Sequence, residues 1–173
     1  MIKVYKEPFF LIHISIKEHN KYKDKLLKLI EDSPKSHDND LDDVVHDFDF
    51  KSDEKLYVDT FYEMVNPYLQ EATKVFNIQK TKFKFKIEDT WFQQYKPNDY
   101  HGWHTHGGCN FSNIYYLENN HPTEFLNLTT RFSLNINVKE GDLIIFPAYI
   151  PHRSTPNKTD KRKSVIVFNS SII

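Results

Sequence analysis

The segment Gly-Asp-Leu-Ile-Ile-Phe-Pro-Ala-Tyr-Ile-Pro-His, residues 141–152, joins a glycine turn, a short apolar run and a proline corner. An apolar run as short as Leu143 to Phe146, bounded by turn residues, is typical of a buried β-strand. The proline corner then delivers His152 to the end of that strand. This segment predicts a β-rich core with a chemically useful side chain at its edge.

Strand-like patterns continue on both sides of this segment, from Thr81 to the end of the chain. The predicted strands are Lys82 to Ile87, Trp91 to Tyr95, Phe111 to Leu117, Leu126 to Asn137 and Lys163 to Phe168. Glycine, proline and asparagine turns separate them. Many short strands after a helical region favour a mainly β fold, an antiparallel sandwich or jelly roll whose N-terminal helices support one sheet.

The N-terminal 80 residues read as this supporting region, with residues 81–173 as the core. Ile2 to Tyr5 and Phe9 to Ile16 have strand-like composition, and apolar residues at helical spacing predict a helix over Glu18 to Glu31. The polar segment Asp32 to Asp53 reads as a long, poorly ordered loop. Ser52 is a candidate N-cap for a second helix that ends near Asn77.

Length and composition narrow the class of protein. A chain of 173 residues and 20.7 kDa suits a single domain. Its formal net charge of -1 disfavours general nucleic-acid binding. No apolar run approaches the roughly 20 residues that span a bilayer, so no membrane segment is expected. The single cysteine, Cys109, and the lack of a signal-peptide pattern indicate the cytoplasm.

Three of the histidines indicate a candidate metal-binding site. In an extended chain His104 and His106 point to the same face, and His152 is the best third member from a distant strand. Neutral imidazoles suit iron, copper, zinc or nickel. A histidine taken singly is more often a hydrogen-bonded structural residue, so the weight rests on the three together.

A lysine follows on the next strand. In the alternating strand Lys163 to Asn169, the first residue shares a face with Val165, Val167 and Asn169. A buried cation requires an anion, so this arrangement predicts a carboxylate ligand. The alternative is that Lys163 is one more solvated lysine of the basic run Lys161 to Lys163.

These residues together resemble a known family. The span Trp91 to Asn169 is similar to the Fe(II)- and 2-oxoglutarate-dependent oxygenases, in particular their small prolyl-4-hydroxylase-like branch of bacterial and phage proteins. The matching elements are Trp91-x-Gln93-x-Tyr95, His104-Thr105-His106, Ser112-x-x-Tyr115-Tyr116, Gly141-x-Leu143-x-x-Phe146-Pro147, His152 and Lys163 to Asn169. The resemblance implies a double-stranded β-helix and a C–H hydroxylation that consumes O2 and releases succinate and CO2.

The same resemblance implies roles for single residues. His104 and His152 match the two iron-binding histidines, whereas His106 stands where most relatives have an aspartate. Either the site has three histidines, the reading favoured here, or Asp99 or Asp142 completes it, or the iron chemistry is lost. Lys163 matches the basic residue that pairs with the distal carboxylate of 2-oxoglutarate, and Arg162 is the reserve candidate. Tyr95, Ser112, Tyr116 and Asn169 are candidate hydrogen-bonding partners of the cosubstrate.

Two other functions remain open on the sequence. Residues 141–152 come close to a cupin motif, which would make the protein a cupin-like metal binder, although Tyr149 stands where that motif has glycine. The missing aspartate also fits a non-catalytic binding module. The segments Asp32 to Asp53 and Asn119 to Thr130 are the expected walls of a substrate entrance. The primary substrate and the oligomeric state are not predicted.

Overall fold

A computed structural model describes residues 2–37, 44–76 and 83–173. Two antiparallel sheets face each other, and two α-helices cover the outer side of the larger sheet. The helices of the described ranges are α1 (His19–Asp32) and α2 (Val58–Thr73). Neither has the length and apolar character needed to cross a bilayer.

The larger sheet has the strand order β1-β2-β10-β7-β12-β5-β4-β3. Its strands are β1 (Ile2–Tyr5), β2 (Leu11–Ser15), β3 (Ser36–His37), β4 (Val45–His46), β5 (Phe85–Tyr95), β7 (Phe111–Glu118), β10 (Asp142–Pro147) and β12 (Lys163–Ile172). The smaller sheet has the order β6-β11-β8-β9, formed by β6 (His101–His104), β8 (Thr123–Leu126), β9 (Ser133–Asn135) and β11 (His152–Ser154). This mainly β, antiparallel architecture confirms the predicted fold class.

Successive side chains along a strand point to opposite faces of the larger sheet, and the two faces contribute to two separate hydrophobic cores. On β12, Ile166 and Phe168 pack under the helices, whereas Val165 and Val167 face the space between the sheets. Lys163 shares that inner face, as its strand parity predicts. The inner core therefore contains a pocket, not only packed side chains.

Three predicted elements differ from the structure. Phe85–Tyr95 is one continuous strand where two were predicted. The predicted strand Leu126 to Asn137 is interrupted because the side chain of Asn127 accepts hydrogen bonds from the backbone N–H groups of Thr129 and Thr130, which forms a tight turn. The second helix begins at Val58 rather than Ser52, after a short 3-10 turn.

The segment Asp32 to Asp53 is more ordered than predicted where the structure describes it. β4 pairs with β5, and Asp47 is fully buried and accepts hydrogen bonds from the Tyr57 hydroxyl at 3.0 Å and the Phe92 N–H at 2.8 Å. These bonds tie the segment to the sheet. Residues 38–43 lie outside the described residues, as do residues 77–82, where the predicted helix end and the boundary near residue 80 fall.

Gly141 occupies a position that requires glycine. Its φ is +83°, and an added Cβ would lie 2.9 Å from Cβ and Cγ of the buried His19. We expect Gly141→Ala to lower the free energy of unfolding by about 2 kcal/mol, because left-handed strain and a core clash combine. Urea unfolding measures this. Gly107→Ala, where no atom lies within 4 Å, is the control and should change stability by much less.

Candidate metal centre

Pairing between two short strands brings His104 and His152 together. In the register of β6 and β11, His104 lies opposite His152. The chain leaves β6 immediately after His104, and the backbone N–H of His106 donates to the carbonyl of Ala148 at 2.9 Å. All three imidazoles therefore meet at one end of the space between the sheets.

The three rings form a compact group. Ring centroids lie 5.3 Å apart for His104 and His106, 4.3 Å for His104 and His152, and 5.1 Å for His106 and His152. One nitrogen from each ring lies within 4.8 Å of the other two. Among the described residues this is the group of histidine, cysteine or acidic side chains that can share a metal ion.

Hydrogen bonds fix the tautomer of every ring. His104 Nδ1 donates to the carbonyl of Gly102 at 2.8 Å, and His152 Nδ1 donates to the carbonyl of Ile150 at 3.1 Å. His106 Nδ1 faces the side-chain oxygen of Asn169 at 2.6 Å. Because each partner is an acceptor, each Nδ1 carries the proton and each Nε2 presents a lone pair. The donor set fits a transition metal.

Burial favours the neutral form of two of these histidines. Desolvation lowers the pKa of His106, and it lowers the pKa of His152 well below its usual value, with further lowering by the nearby His104 and His106 rings. Neutral imidazole is the form that binds a metal ion. His106 and His152 are therefore in this form at neutral pH.

A fourth histidine is close but differs in its hydrogen bonding. His101 stacks on His104 with centroids 4.0 Å apart. The Tyr95 hydroxyl donates to Gln93 Oε1, so the Gln93 amide nitrogen donates to His101 Nδ1 at 3.0 Å. Nδ1 of His101 is thus an acceptor and its proton lies on Nε2, opposite to the other three rings. His101 is not part of the converging group.

Asn169 accepts a hydrogen bond from His106 Nδ1, so in a three-histidine site its replacement should weaken metal binding. We expect Asn169→Leu to lower zinc affinity about tenfold to hundredfold, the usual cost of losing a hydrogen bond to a metal-binding histidine. Asn169→Asp, which keeps an acceptor oxygen, should retain most of the affinity. Competition with a chromogenic chelator measures both. Equal losses in the two variants would contradict the tautomer argument.

Lys163 lies at the other end of a narrow pocket that begins at the histidines. It is 1% exposed, and its Nζ donates to Thr123 Oγ1 and Ser154 Oγ, both at 3.2 Å. Within the described residues it forms no ion pair, and burial lowers its pKa to about 7. A buried ammonium group without a carboxylate is costly unless a ligand supplies one.

Of the residues with predicted hydroxyl contacts, Tyr95 lines this pocket, whereas Tyr116 and Ser112 are not among its lining residues. Two of the three hydroxyl groups already have partners. Tyr95 donates to Gln93 at 2.8 Å and Tyr116 donates to Thr123 at 3.0 Å, and both rings lie 5.6 Å from the Lys163 ammonium. Ser112 is fully buried, and its hydroxyl has no hydrogen-bond partner among the described residues. Their predicted contacts with a cosubstrate stay predictions.

The structure places the alternative candidates away from the group. Asp142 accepts a hydrogen bond from Ser15 and lies 2.8 Å from the His13 ring. Asp99 accepts from the backbone of Lys96 at 2.6 Å in a turn. Arg162 forms an exposed pair with Glu118 at 2.8 Å. None of these side chains belongs to the histidine group.

Sequence reasoning did not identify Thr123 and Ser154, which hold the lysine. Ser154 lies two residues after His152 on β11, so strand parity could have placed it on the same face. Thr123 requires knowledge that β8 pairs with β11, where it lies opposite Ser154. Behind them, His121 Nε2 accepts from Ser154 at 3.0 Å, and burial lowers the pKa of His121 to about 3.

No protein-family model and no curated protein sequence matches this chain. Solved structures do. A 2OG-Fe(II) oxygenase family oxidoreductase from Burkholderia pseudomallei is 11% identical and has a TM-score of 0.71, with coverage of 93% of this chain and 84% of that one. HygX from Streptomyces hygroscopicus, solved with nickel and 2-oxoglutarate, is 9% identical, with a TM-score of 0.66 and coverage of 93% and 82%.

The viral collagen prolyl hydroxylase of Paramecium Bursaria Chlorella virus-1, solved as a 2OG complex, is 19% identical. It has a TM-score of 0.60, with coverage of 92% of this chain and 94% of that one. At these identities the likeness establishes the fold. The chain has the jelly-roll fold of the 2OG-Fe(II) oxygenases, which confirms the fold that the sequence resemblance implied.

Proposed function

We propose that this protein is an Fe(II)- and 2-oxoglutarate-dependent dioxygenase that hydroxylates a C–H bond of a substrate still to be identified. One observation carries the proposal. Three imidazoles, each with its Nδ1 hydrogen-bonded to a protein acceptor, occupy one end of a narrow pocket, and a buried lysine without a carboxylate occupies the other. A 2-oxoacid with a second carboxylate is complementary to both ends.

His104, His106 and His152 would hold the iron, and their backbone and Asn169 acceptors keep Nε2 directed to it. Because all three ligands are neutral, the site keeps the full positive charge of the metal. This favours a dianionic cosubstrate more strongly than a site with a carboxylate ligand would. The missing aspartate is thus compatible with cosubstrate binding.

Lys163 would pair with the distal carboxylate of 2-oxoglutarate. Thr123 and Ser154 hold its ammonium group in position, and the rings of Tyr95 and Tyr116 flank it. Lysine provides one charged donor group rather than the bidentate fork of arginine, so orientation of the carboxylate depends on neighbouring hydroxyls. Thr123 is the hydroxyl best placed for this role, because it also lines the pocket.

Part of the pocket wall is apolar, beside the polar side chains of Gln93 and Arg153. Trp91, Ile114, Val165 and Val167 line it, which excludes water and strengthens the charge interactions inside. When bound, iron and 2-oxoglutarate supply the oxidising chemistry, in which substrate, O2 and 2-oxoglutarate give hydroxylated substrate, succinate and CO2. The protein would position the reactants, and burial favours the neutral form of His106 and His152.

Cosubstrate binding and turnover test the proposal. Calorimetry on the zinc-loaded protein should show that 2-oxoglutarate binds more tightly than pyruvate, which has the 2-oxoacid group but no distal carboxylate. With Fe(II) and O2, NMR should show 2-oxoglutarate consumed and succinate formed in equal amounts. Metal binding without 2-oxoglutarate binding would support a cupin-like metal protein instead. Binding of neither would support a non-catalytic module.

A further inference from the structure

A second, wider pocket opens beside the histidines. It has a volume of about 600 Å³ and is lined by residues that include His104, His106 and Asn169. Ser36, His46, Phe48 and Asp49 come from the segment that sequence analysis expected at the substrate entrance. The other expected wall, residues 119–130, supplies none of its lining within the described residues. A pocket of this size next to a metal centre is suited to a substrate group.

Two chemical features dominate this pocket. The first is aromatic: Phe48 and Trp91 meet edge to face with centroids 5.2 Å apart. The second is acidic, since Asp49 and Asp89 both line the pocket and no lysine or arginine does so among the described residues. Aromatic faces and carboxylates are the two groups that attract an organic cation.

The carboxylates are available to a ligand. Within the described residues, neither Asp49 nor Asp89 accepts a hydrogen bond or forms an ion pair. Lys55 interacts electrostatically with both, but its ammonium group is buried, donates to the Thr90 carbonyl at 2.8 Å and does not line the pocket. Asp47 also interacts with Lys55, and more strongly than Asp49 or Asp89 does. This one lysine therefore does not neutralise both pocket carboxylates, and the pocket keeps an excess of negative charge.

We propose that the substrate presents an organic cation, an alkylammonium or guanidinium group, to this pocket. Asp49 and Asp89 would pair with the charge, and Phe48 and Trp91 would contact the alkyl stem and the cation. That this ligand is the substrate rests on the proposed oxygenase function. The binding itself requires neither iron nor 2-oxoglutarate, so it can be tested separately.

Trp91 provides a reporter for binding. The chain has two tryptophans, and Trp103 is exposed on the outer side, where the Arg153 guanidinium lies 4.7 Å from its ring. In a Trp103→Phe protein the remaining tryptophan fluorescence comes from the pocket. Both the metal-free and the zinc-loaded protein are titrated with two pairs of ligands, and the affinities within each pair are compared. The first pair is the cation n-butylammonium and its neutral analogue 1-butanol. The second pair is Nα-acetyl-lysine methylamide and its neutral norleucine analogue, which tests a cation within a peptide.

We expect the cation of at least one pair to bind about fivefold or more tightly than its neutral analogue, and the preference to weaken with added salt. The Asp49→Asn/Asp89→Asn double variant should remove the preference. Glu88→Gln is the matched control, because this neighbouring carboxylate pairs with Lys86 at 2.8 Å and does not line the pocket. Circular dichroism checks that each variant folds.

Two results would overturn the inference: equal affinity for cation and neutral analogue in both pairs, or a preference that persists in the double variant. Failure of the iron or 2-oxoglutarate experiments would leave these titrations interpretable. A confirmed oxygenase without a cation preference would refute the substrate class alone. The two proposals are therefore separable.

Discussion

The His152→Ala protein should bind zinc or Fe(II) about a hundredfold more weakly than the wild type and should show no 2-oxoglutarate turnover. Loss of a hydrogen-bonding partner of a ligand already costs tenfold to hundredfold in many metal sites, and loss of a ligand costs at least as much. His152 is a proposed ligand and lies opposite His104 in the pairing of β11 with β6. Chelator competition and succinate detection measure the two effects.

His101→Ala is the matched control for this variant. His101 stacks on His104 at 4.0 Å but its Nδ1 is an acceptor, so its removal should leave metal affinity within a few-fold of the wild type. His152 is packed against Phe125 and Phe146, and its truncation leaves a cavity that lowers stability. Thermal unfolding separates this effect, and His106→Ala provides a second ligand variant at a less buried position.

If His152→Ala retained wild-type metal affinity, the three-histidine centre would be wrong. If His101→Ala lost as much affinity as His152→Ala, the tautomer argument would fail, because His101 would then be a ligand. Together, His152→Ala and His101→Ala test which histidines bind the metal ion and whether the position of its ring proton explains why His101 does not.

The convergence of the three histidines could be predicted in part from the sequence, because local geometry contributes to it. Residues two apart in an extended chain share a face, and this places His104 beside His106. The proline corner separates His152 from the apolar strand, so His152 begins β11, an inner strand of the smaller sheet, and does not end β10 as predicted. Strand parity places Lys163 inside and Arg162 outside. The inferences from residue spacing and strand parity need only the sequence around each residue.

Features that depend on pairing between distant strands could not be predicted in this way. Thr123 contacts the lysine only because β8 lies beside β11, and Asp142 is engaged by His13 and Ser15 only because β10 pairs with β2. Likewise, Asp47 orders a polar segment through a bond to Phe92, 45 residues away. Register between strands far apart in sequence is set by the whole fold, not by local pattern.

Lys163→Met should weaken 2-oxoglutarate binding at least about thirtyfold and raise the thermal stability of the ligand-free protein. Removing one partner of a buried charge pair costs about 2–5 kcal/mol of binding free energy. Without the ligand the same ammonium group is buried and unpaired by any carboxylate of the described residues. An apolar side chain of similar size removes that penalty.

Arg162→Met is the control on the neighbouring position. Arg162 forms an exposed pair with Glu118, and exposed pairs contribute little, so neither affinity nor stability should change appreciably. Calorimetry on the zinc-loaded proteins gives the affinities, and thermal unfolding of the ligand-free proteins gives the stabilities. Lys163→Met should lower the affinity for 2-oxoglutarate but raise the stability of the ligand-free protein. This combination distinguishes a binding residue from a structural one, because replacing a structural lysine would lower the stability of the protein.

The pH dependence of Lys163 gives a second test of its role. In the ligand-free fold its pKa is lowered to about 7 from the ordinary value of 10.5. Between these values the unfolded chain binds the proton and the folded chain does not, so the stability of the wild type should rise with pH. Over the same range 2-oxoglutarate binding must take up a proton, so its Kd should increase by up to about tenfold per pH unit.

Both slopes should be much smaller in Lys163→Met, because the titrating group is gone. Arg162→Met should retain them, since its substitution leaves the buried ammonium group unchanged. A wild-type Kd that stayed constant from pH 7 to 9, together with unchanged affinity in Lys163→Met, would place the distal carboxylate elsewhere. The buried lysine would then need another ligand to explain why it lies without an anion at the end of the pocket.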